Sequence, residues 1–511
     1  MSGLQMAASV PLSNSSEDML PFDPVTLLLS IIAFIFLTTV IYKQKEHVHP
    51  NYPPGPKPWP IIGNIPILDV QKPYLSFQEL AKTYGPVFSI SIGVQKMVVL
   101  CGYDVVKEAL VNHAEYFSNR PNVPAFTDYS KGYGIGLSNG HNWKAMKKFT
   151  LSKFRDFGVG KRIMEDKINE EANYLVQTFK SYKGEPFDNT MLMYAAFCNI
   201  IVSIVFGHRF DSDDPELERL LILVMNIASS LGSPITLLYN AYPSLLRWLP
   251  GSHKTMLKIT DELRSLIKDM VTKLRNELDV NNPRTFIDCF LVKQKEENPD
   301  LESYFHDESL TSLVSDLLNA GIETSASTLR WALLLMMKYP EIQKNVQKEI
   351  EKVIGSTEPQ MAHRKHMPYT DAVIHEVQRF ANVVPTNLPY MTTQDVTLKH
   401  FFLPKGTHIM PSLTSVLRDD KHFKKPDEFY PQHFLDSDGN FVKNEAFIPF
   451  SAGKRMCAGE SLAKVELFLV FTKLLQNFTF TAPPGAKLDL TGTVGFISHP
   501  KKHEICAISQ N

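Results

Sequence analysis

The 511-residue chain has few cysteines: Cys101, Cys198, Cys289, Cys457 and Cys506, scattered and odd in number. That excludes a disulfide framework and suits a reducing compartment with at most one special thiol. Charge of one sign is also missing. The formal net charge is −1, so no global field draws the chain to nucleic acid. No repeat, low-complexity block or second Pro/Gly/Ser-rich linker divides the chain. No Lys, Arg or His precedes Lys43, and a cleaved secretory leader would open on such residues.

What the N-terminal region does hold is a long apolar run. Residues 25–42 (VTLLLSIIAFIFLTTVIY) carry no charge over 18 positions, and ~17–25 apolar residues cross a bilayer as a helix. Glu17, Asp18 and Asp23 precede the run and Lys43 and Lys45 follow it. The positive-inside rule then places the long C-terminal part in the cytosol. The expectation is an uncleaved signal-anchor at 25–42, with residues 1–24, including the sequon at Asn14, on the luminal side. Residues 43–60 would form a basic and Pro-rich hinge. There Pro53, Pro54, Pro56, Pro58 and Pro60 fix φ and remove backbone donors, giving a stiff strap to a catalytic body at 61–511.

That body is large for one hydrophobic core, yet nothing splits it. A single domain around a buried cofactor reconciles the two facts. Helical patterns dominate. The stretch from Asp307 to Pro340 reads as a helix of roughly 30 residues, opened by the capping-type Asp307 and Glu308 and apolar all round in its second half. Strand-like runs are short: VFSISIG with KMVVLCG, and ICAIS near the end. The fold class is mainly α with a small β part. KQKEENPDLE at 293–302 reads as a solvated loop, and GYGIG at 132–136 lacks the spacing of a dinucleotide fingerprint.

The chemistry concentrates in FIPFSAGKRMCAGE, residues 447–460. Gly453 and Gly459 permit tight turns and close approach to something flat or bulky. The run after Gly459 is helical, so Cys457 lies at a helix N-terminus, where N–H groups and the dipole favour a thiolate. With Arg455 close enough to meet an acidic group, that makes a metal ligand, an axial thiolate for haem iron. Elsewhere, HEVQRF places Glu376 and Arg379 on one helix face. Arg379 occupies the position a second zinc-binding histidine would need, which excludes that motif. Trp143 and Lys147 also share a helix face.

Phe450, Gly453, Arg455, Cys457 and Gly459 together resemble the haem-thiolate signature of the cytochrome P-450 superfamily. The strap with PPGP and the FSNRP at 117–121 are similar to vertebrate microsomal family-2 enzymes. The resemblance implies a haem-enclosing fold behind a transmembrane helix, with haem b held on Cys457. Arg455, Trp143, Lys147 and Lys131 would hold the propionates, the two lysines standing where relatives usually carry arginine. Tyr390 stands where relatives often have His or Arg. Thr324 would offer a hydroxyl to dioxygen and Glu323 would feed protons, with Gly321 letting the helix open locally. Alone, such a threonine would simply bond back to its own helix. Glu376, Arg379 and His433 would support the cysteine loop, and Phe126, Ala320, Val384, Leu388 and Phe496 would line an apolar substrate pocket.

The same resemblance implies a monooxygenase in the endoplasmic reticulum membrane, single-pass, with its catalytic domain cytosolic. It would insert one oxygen atom of O2 into fatty acids, steroids or xenobiotics. NADPH-cytochrome P450 reductase would supply electrons from NADPH through FMN and FAD, with cytochrome b5 as a further partner. Lys144, Lys148, Lys153, Arg155, Lys161, Arg162 and Lys454 would form a basic docking patch for the reductase. Two alternatives stay open: a haem-thiolate isomerase or dehydratase of lipid peroxides, and a non-catalytic haem-binding membrane protein.

Overall fold

The computed structural model describes residues 23–45, 49–297, 303–493 and 495–510. Two compact units emerge, Met1–Val48 and His49–Asn511. In the first, Asp23 accepts from the amide of Val25 at 3.2 Å and opens a helix at Pro24–Lys45. Its described apolar stretch is Pro24–Thr38, and no single helix among the described residues is long and apolar enough to cross a membrane. The sequon at Asn14 lies outside the described residues.

The chain is about 55% helix and 9% strand, which makes the fold mainly α, and the strands lie in the second unit. Its Pro-rich segment is no free hinge. The Ser89 amide donates to the Pro54 carbonyl at 2.7 Å, and the Ser89 hydroxyl to that of Pro53 at 3.0 Å. A Cβ on Gly55 would sit 1.9 Å from the Ser89 carbonyl oxygen. The strap therefore lies along the strand Val87–Ile92, and glycine is what lets it come that close. Val87–Ile92 pairs antiparallel with Gln95–Leu100. Gln95–Leu100 runs parallel to His408–Pro411, which pairs antiparallel with Tyr390–Met391. Near the C-terminus, Phe478–Thr481 pairs with Cys506–Ser509.

A central helix, Asp307–Lys338, runs through the core for 32 residues. Its N-cap is His306, whose side chain accepts from the Ser309 amide, rather than the acids after it. Asp307 and Glu308 occupy the first turn and pair instead with Arg275, Arg264 and Lys268. The helix stops at Tyr339, ahead of Pro340, as the restriction on a residue before proline requires. Residues 293–296, read as loop, belong to a helix at Phe286–Glu296. A capping box between Thr285 and Asp288 starts that helix, which the sequence reading overlooked. Residues 298–302 lie outside the described residues.

The central helix is buried from Ser309 to Met337, with few breaks. Ala320 is exposed and Leu317 and Thr324 are half-buried. Spaced i, i+3 and i+7, they form one stripe. An accessible stripe midway along a core helix marks the wall of an internal space.

Candidate active site

The cysteine loop is built from backbone demands. Ser451 and Gly453 have φ of +63° and +74°, and a Cβ on Gly453 would meet the Leu110 carbonyl oxygen at 1.7 Å. Only glycine fits there. Gly459 differs: its φ is −89°, and a Cβ would lie 3.8 Å from the Cys457 sulfur. Its lack of a side chain leaves room beside that sulfur instead of making a turn. The Cys457 amide donates to the half-buried Phe450 carbonyl at 3.0 Å, and the next helix starts at Glu460.

The thiol is accessible yet deep enough that burial raises its pKa, against the pull of the Gly459 and Glu460 amides. A group both accessible and desolvated lines an internal space. Helix-terminal donors alone do not ionise this thiol; a coordinated metal cation would deprotonate it outright.

Beside the loop, Arg455 stacks on Trp143, its guanidinium carbon 3.7 Å from the ring centre. It donates to the carbonyls of Ser118 and Ser138 at 2.7 and 2.8 Å and to Asn139 at 3.0 Å. Its Nη1 is buried without a partner. Burial first, and then the charge of Arg120, push its pKa down to about 9. Lys147 lies one turn along the Trp143 helix, Gly140–Asp156, with its amine 5.4 Å from the Trp143 ring centre and donating to the Lys454 carbonyl. Burial and then Arg455 lower its pKa too.

Arg120 is the arginine of FSNRP. It donates to the carbonyls of Gly136, Leu388 and Pro389 at 3.1, 3.3 and 2.9 Å and stacks on Tyr390 at 4.4 Å. Tyr390 is satisfied by Ser451 at 2.9 Å. Lys131 is exposed, at a left-handed helix C-cap. Among the described residues it shares no hydrogen bond or ion pair with this group.

Cys457, Arg455, Trp143 and Lys147 are thus brought together. Lys147 and Arg455 meet on Trp143 and Arg120 lies close enough to act on Arg455, and among the described residues none of the three has a carboxylate partner. Buried cations without counter-charge destabilise a fold unless an anion joins them.

Glu376 and Arg379 form a wholly buried pair at 2.7 Å. Glu376 also accepts from the Tyr430 amide at 2.7 Å and from His433 Nδ1 at 3.1 Å. His433 Nε2 accepts the Lys425 amide at 3.2 Å, which fixes the proton on Nδ1. Arg379 donates to the carbonyls of Leu417, Pro426 and Glu428. These bonds hold the 417–434 segment, not the cysteine loop itself. The loop is reached by packing, with Phe447 5.0 Å from Phe434 and 4.8 Å from His375, ring centre to ring centre.

On the central helix, the Thr324 hydroxyl donates to the Ala320 carbonyl at 2.7 Å. The helix is unbroken there, and a Cβ on Gly321 would meet Ile201 at 2.6 Å. Gly321 therefore lets the helix Thr190–Val205 approach; it does not open the central helix. Glu323 is buried and pairs with His499 Nε2 at 3.0 Å, a partner that sequence reading missed. Phe126 and Phe496 meet edge to face at 6.1 Å, while Val384 and Leu388 are half-buried on the segment after the Glu376 helix.

The cytochrome P450 family profile matches residues 53–507. The chain belongs to the cytochrome P450 family. It is 48% identical to cytochrome P450 2C5 of Oryctolagus cuniculus over 489 residues, 95% of this chain and 99% of that protein. It is 44% identical to cytochrome P450 2K1 of Oncorhynchus mykiss over 503 residues, 97% and 99% of the two chains. Identity to cytochrome P450 2C8 of Homo sapiens is 45% over 489 residues, again 95% and 99%. Membership makes the chain an oxidoreductase of the monooxygenase type and implies a thiolate-ligated haem. The residues present fit that group. The orphaned Arg455 Nη1 and its cationic neighbours suit carboxylates, and Cys457 suits an iron.

Proposed function

We propose that Cys457 would ligate the iron of a haem b and that Arg455, Arg120 and Lys147 would hold its propionates, with Trp143 stacked on the Arg455 guanidinium. The observation that carries this is the buried, unpartnered Nη1 of Arg455, in a cluster without carboxylates, on the same loop as the accessible thiol of Cys457. The haem, when bound, supplies dioxygen activation, which thiolate donation favours. The chain's own residues do the rest. The amides of Gly459 and Glu460 favour the sulfur's anion, and the arginines would neutralise the carboxylates. Thr324 Oγ1, now bonded to the Ala320 carbonyl, would donate into the site once released from it, and Glu323 would be the proton source. Phe126, Ala320, Val384, Leu388 and Phe496 line the substrate space, which suits fatty acids, steroids or lipophilic foreign compounds.

Electrons come from NADPH through an FMN/FAD reductase with an acidic face, and cytochrome b5 is a further donor. Lys144, Lys148, Arg155 and Lys161 support this reading: they are exposed and have no ion pair among the described residues. Lys153, Arg162 and Lys454 contribute less, being engaged with Asp156, Asp166 and Glu115. The chain sits on the endoplasmic reticulum membrane through the 25–42 helix, its body cytosolic. Exposed Trp59, Ile62, Leu245 and Trp248 on that body support a lipid contact.

The test is the ferrous–carbon monoxide absorption spectrum of wild type and Cys457→Ala. A long-wavelength Soret band present in the first and lost in the second is expected. A short-wavelength band in both would reject Cys457 as the ligand.

A further inference from the structure

The proposed reaction gives Glu323 a proton to deliver, and among the described residues that carboxylate pairs with one ionisable partner, His499. Glu323 and His499 side chains are 3% and 24% exposed and meet at 3.0 Å through His499 Nε2. His499 Nδ1 lies 2.7 Å from the Ser327 hydroxyl and 3.4 Å from that of Tyr194. The histidine is thus gripped from the central helix and from the helix Thr190–Val205. Its own segment is fastened as well. The Trp331 indole donates to the Ser498 carbonyl at 3.1 Å, and the Ser498 amide donates to the Val383 carbonyl at 2.9 Å. Phe496, three residues before His499, faces Phe126.

We propose that His499 is a positioning residue for the acid–alcohol pair: it holds the Glu323 carboxylate, sets its ionisation, and ties it to the segment that carries Phe496. The inference rests on the reading that Glu323 handles protons, and deepens it. Burial pushes the Glu323 carboxyl above the usual range, and the hydrogen bond and charge of His499 pull it back. The other groups facing this site do not replace His499. Arg330 lies further along the central helix, its Nε buried without a partner, and acts on Tyr194 and Asp188. On the C-terminal segment, Lys502 pairs with Asp188 at 3.7 Å and Lys501 with Asp489 at 2.6 Å. His503 is turned to the Lys501 carbonyl. His499 Nε2 faces Glu323 Oε1 while Nδ1 faces the two hydroxyls, so a proton carried on Nε2 is shared directly with the carboxylate.

The experiment is an infrared pH titration of the haem-loaded protein, with the Glu323 carboxyl C=O band assigned by its loss in Glu323→Gln. In His499→Leu the midpoint of that band should rise by about one unit or more, the effect of removing an adjacent opposite charge. His499→Gln keeps a donor of similar size without the charge, and its midpoint should fall between the two. In parallel, peroxide released per NADPH should shift along the pH axis in the same order. An unmoved band in both variants overturns the inference. Unchanged peroxide release in Glu323→Gln at every pH would instead reject the proton role of Glu323, so the two failures are told apart.

Discussion

Replacing Arg379 with alanine tests whether the buried pair behind the cysteine loop carries the stability its geometry implies. The change removes bonds of 2.8 and 2.7 Å to Glu376 and of 2.9, 2.7 and 2.6 Å to the carbonyls of Leu417, Pro426 and Glu428. Both charged side chains are 0% exposed. Breaking a buried pair costs ~3–5 kcal/mol, because the remaining charge is stranded. Here the Tyr430 amide and His433 stay on Glu376 and offset part of that loss, while three carbonyls lose their donor and add to it. About 4 kcal/mol is the expected net cost, a large share of the ~5–15 kcal/mol typical of a folded domain. With a urea m-value of ~3 kcal/mol per molar, the unfolding midpoint should fall by about 1 M or more, followed by far-UV circular dichroism. Lys82→Ala is the matched control. Lys82 and Glu79 form the same i, i+3 pair at 2.8 Å, but each side chain is 71% exposed, and such a pair is worth less than about 1 kcal/mol. Equal midpoints for the two variants would refute the premise that burial, rather than distance, sets the strength of this pair.

Two further tests address the loops over the site. Asp316 accepts from the Ile135 and Gly136 amides at 2.7 and 3.0 Å, yet burial pushes it up to about 6. An acid whose folded pKa exceeds its unfolded one binds more protons when folded. Its contribution is therefore most favourable below pH ~4 and is lost as pH rises through about 6, an effect of ~3 kcal/mol. Asp316→Asn should flatten the urea midpoint across that window, and parallel wild-type and variant curves would reject it. Gly453→Ala should abolish haem retention, since its Cβ would strike the Leu110 carbonyl at 1.7 Å with φ at +74°. Gly459→Ala, with 3.8 Å to the sulfur, should retain it; absorbance per protein decides, and similar losses in both would refute the distinction.

The parts of this site that are legible in the sequence are those fixed by short spacing. Glu376 and Arg379 share a face because they are three apart on a helix, and Gly453 takes a positive φ of its own, although the carbonyl that excludes a side chain there belongs to Leu110. Residues whose partners lie far along the chain were not legible. Arg120 reaches carbonyls at 388 and 389, and Glu323 finds His499 across more than 170 positions. The same limit explains Gly321. Its position before an acid–alcohol pair suggested a helix able to open, but the space it leaves is taken by Ile201 from another helix. Thr324 shows the reverse case. Its bond to Ala320 is the default for a helical threonine, and what distinguishes it is the accessible stripe it shares with Leu317 and Ala320. That stripe follows from which neighbours are missing around one face of a core helix. A pattern of residue types along the sequence cannot express it, because apolar and polar residues alike are buried on the other faces of the same helix.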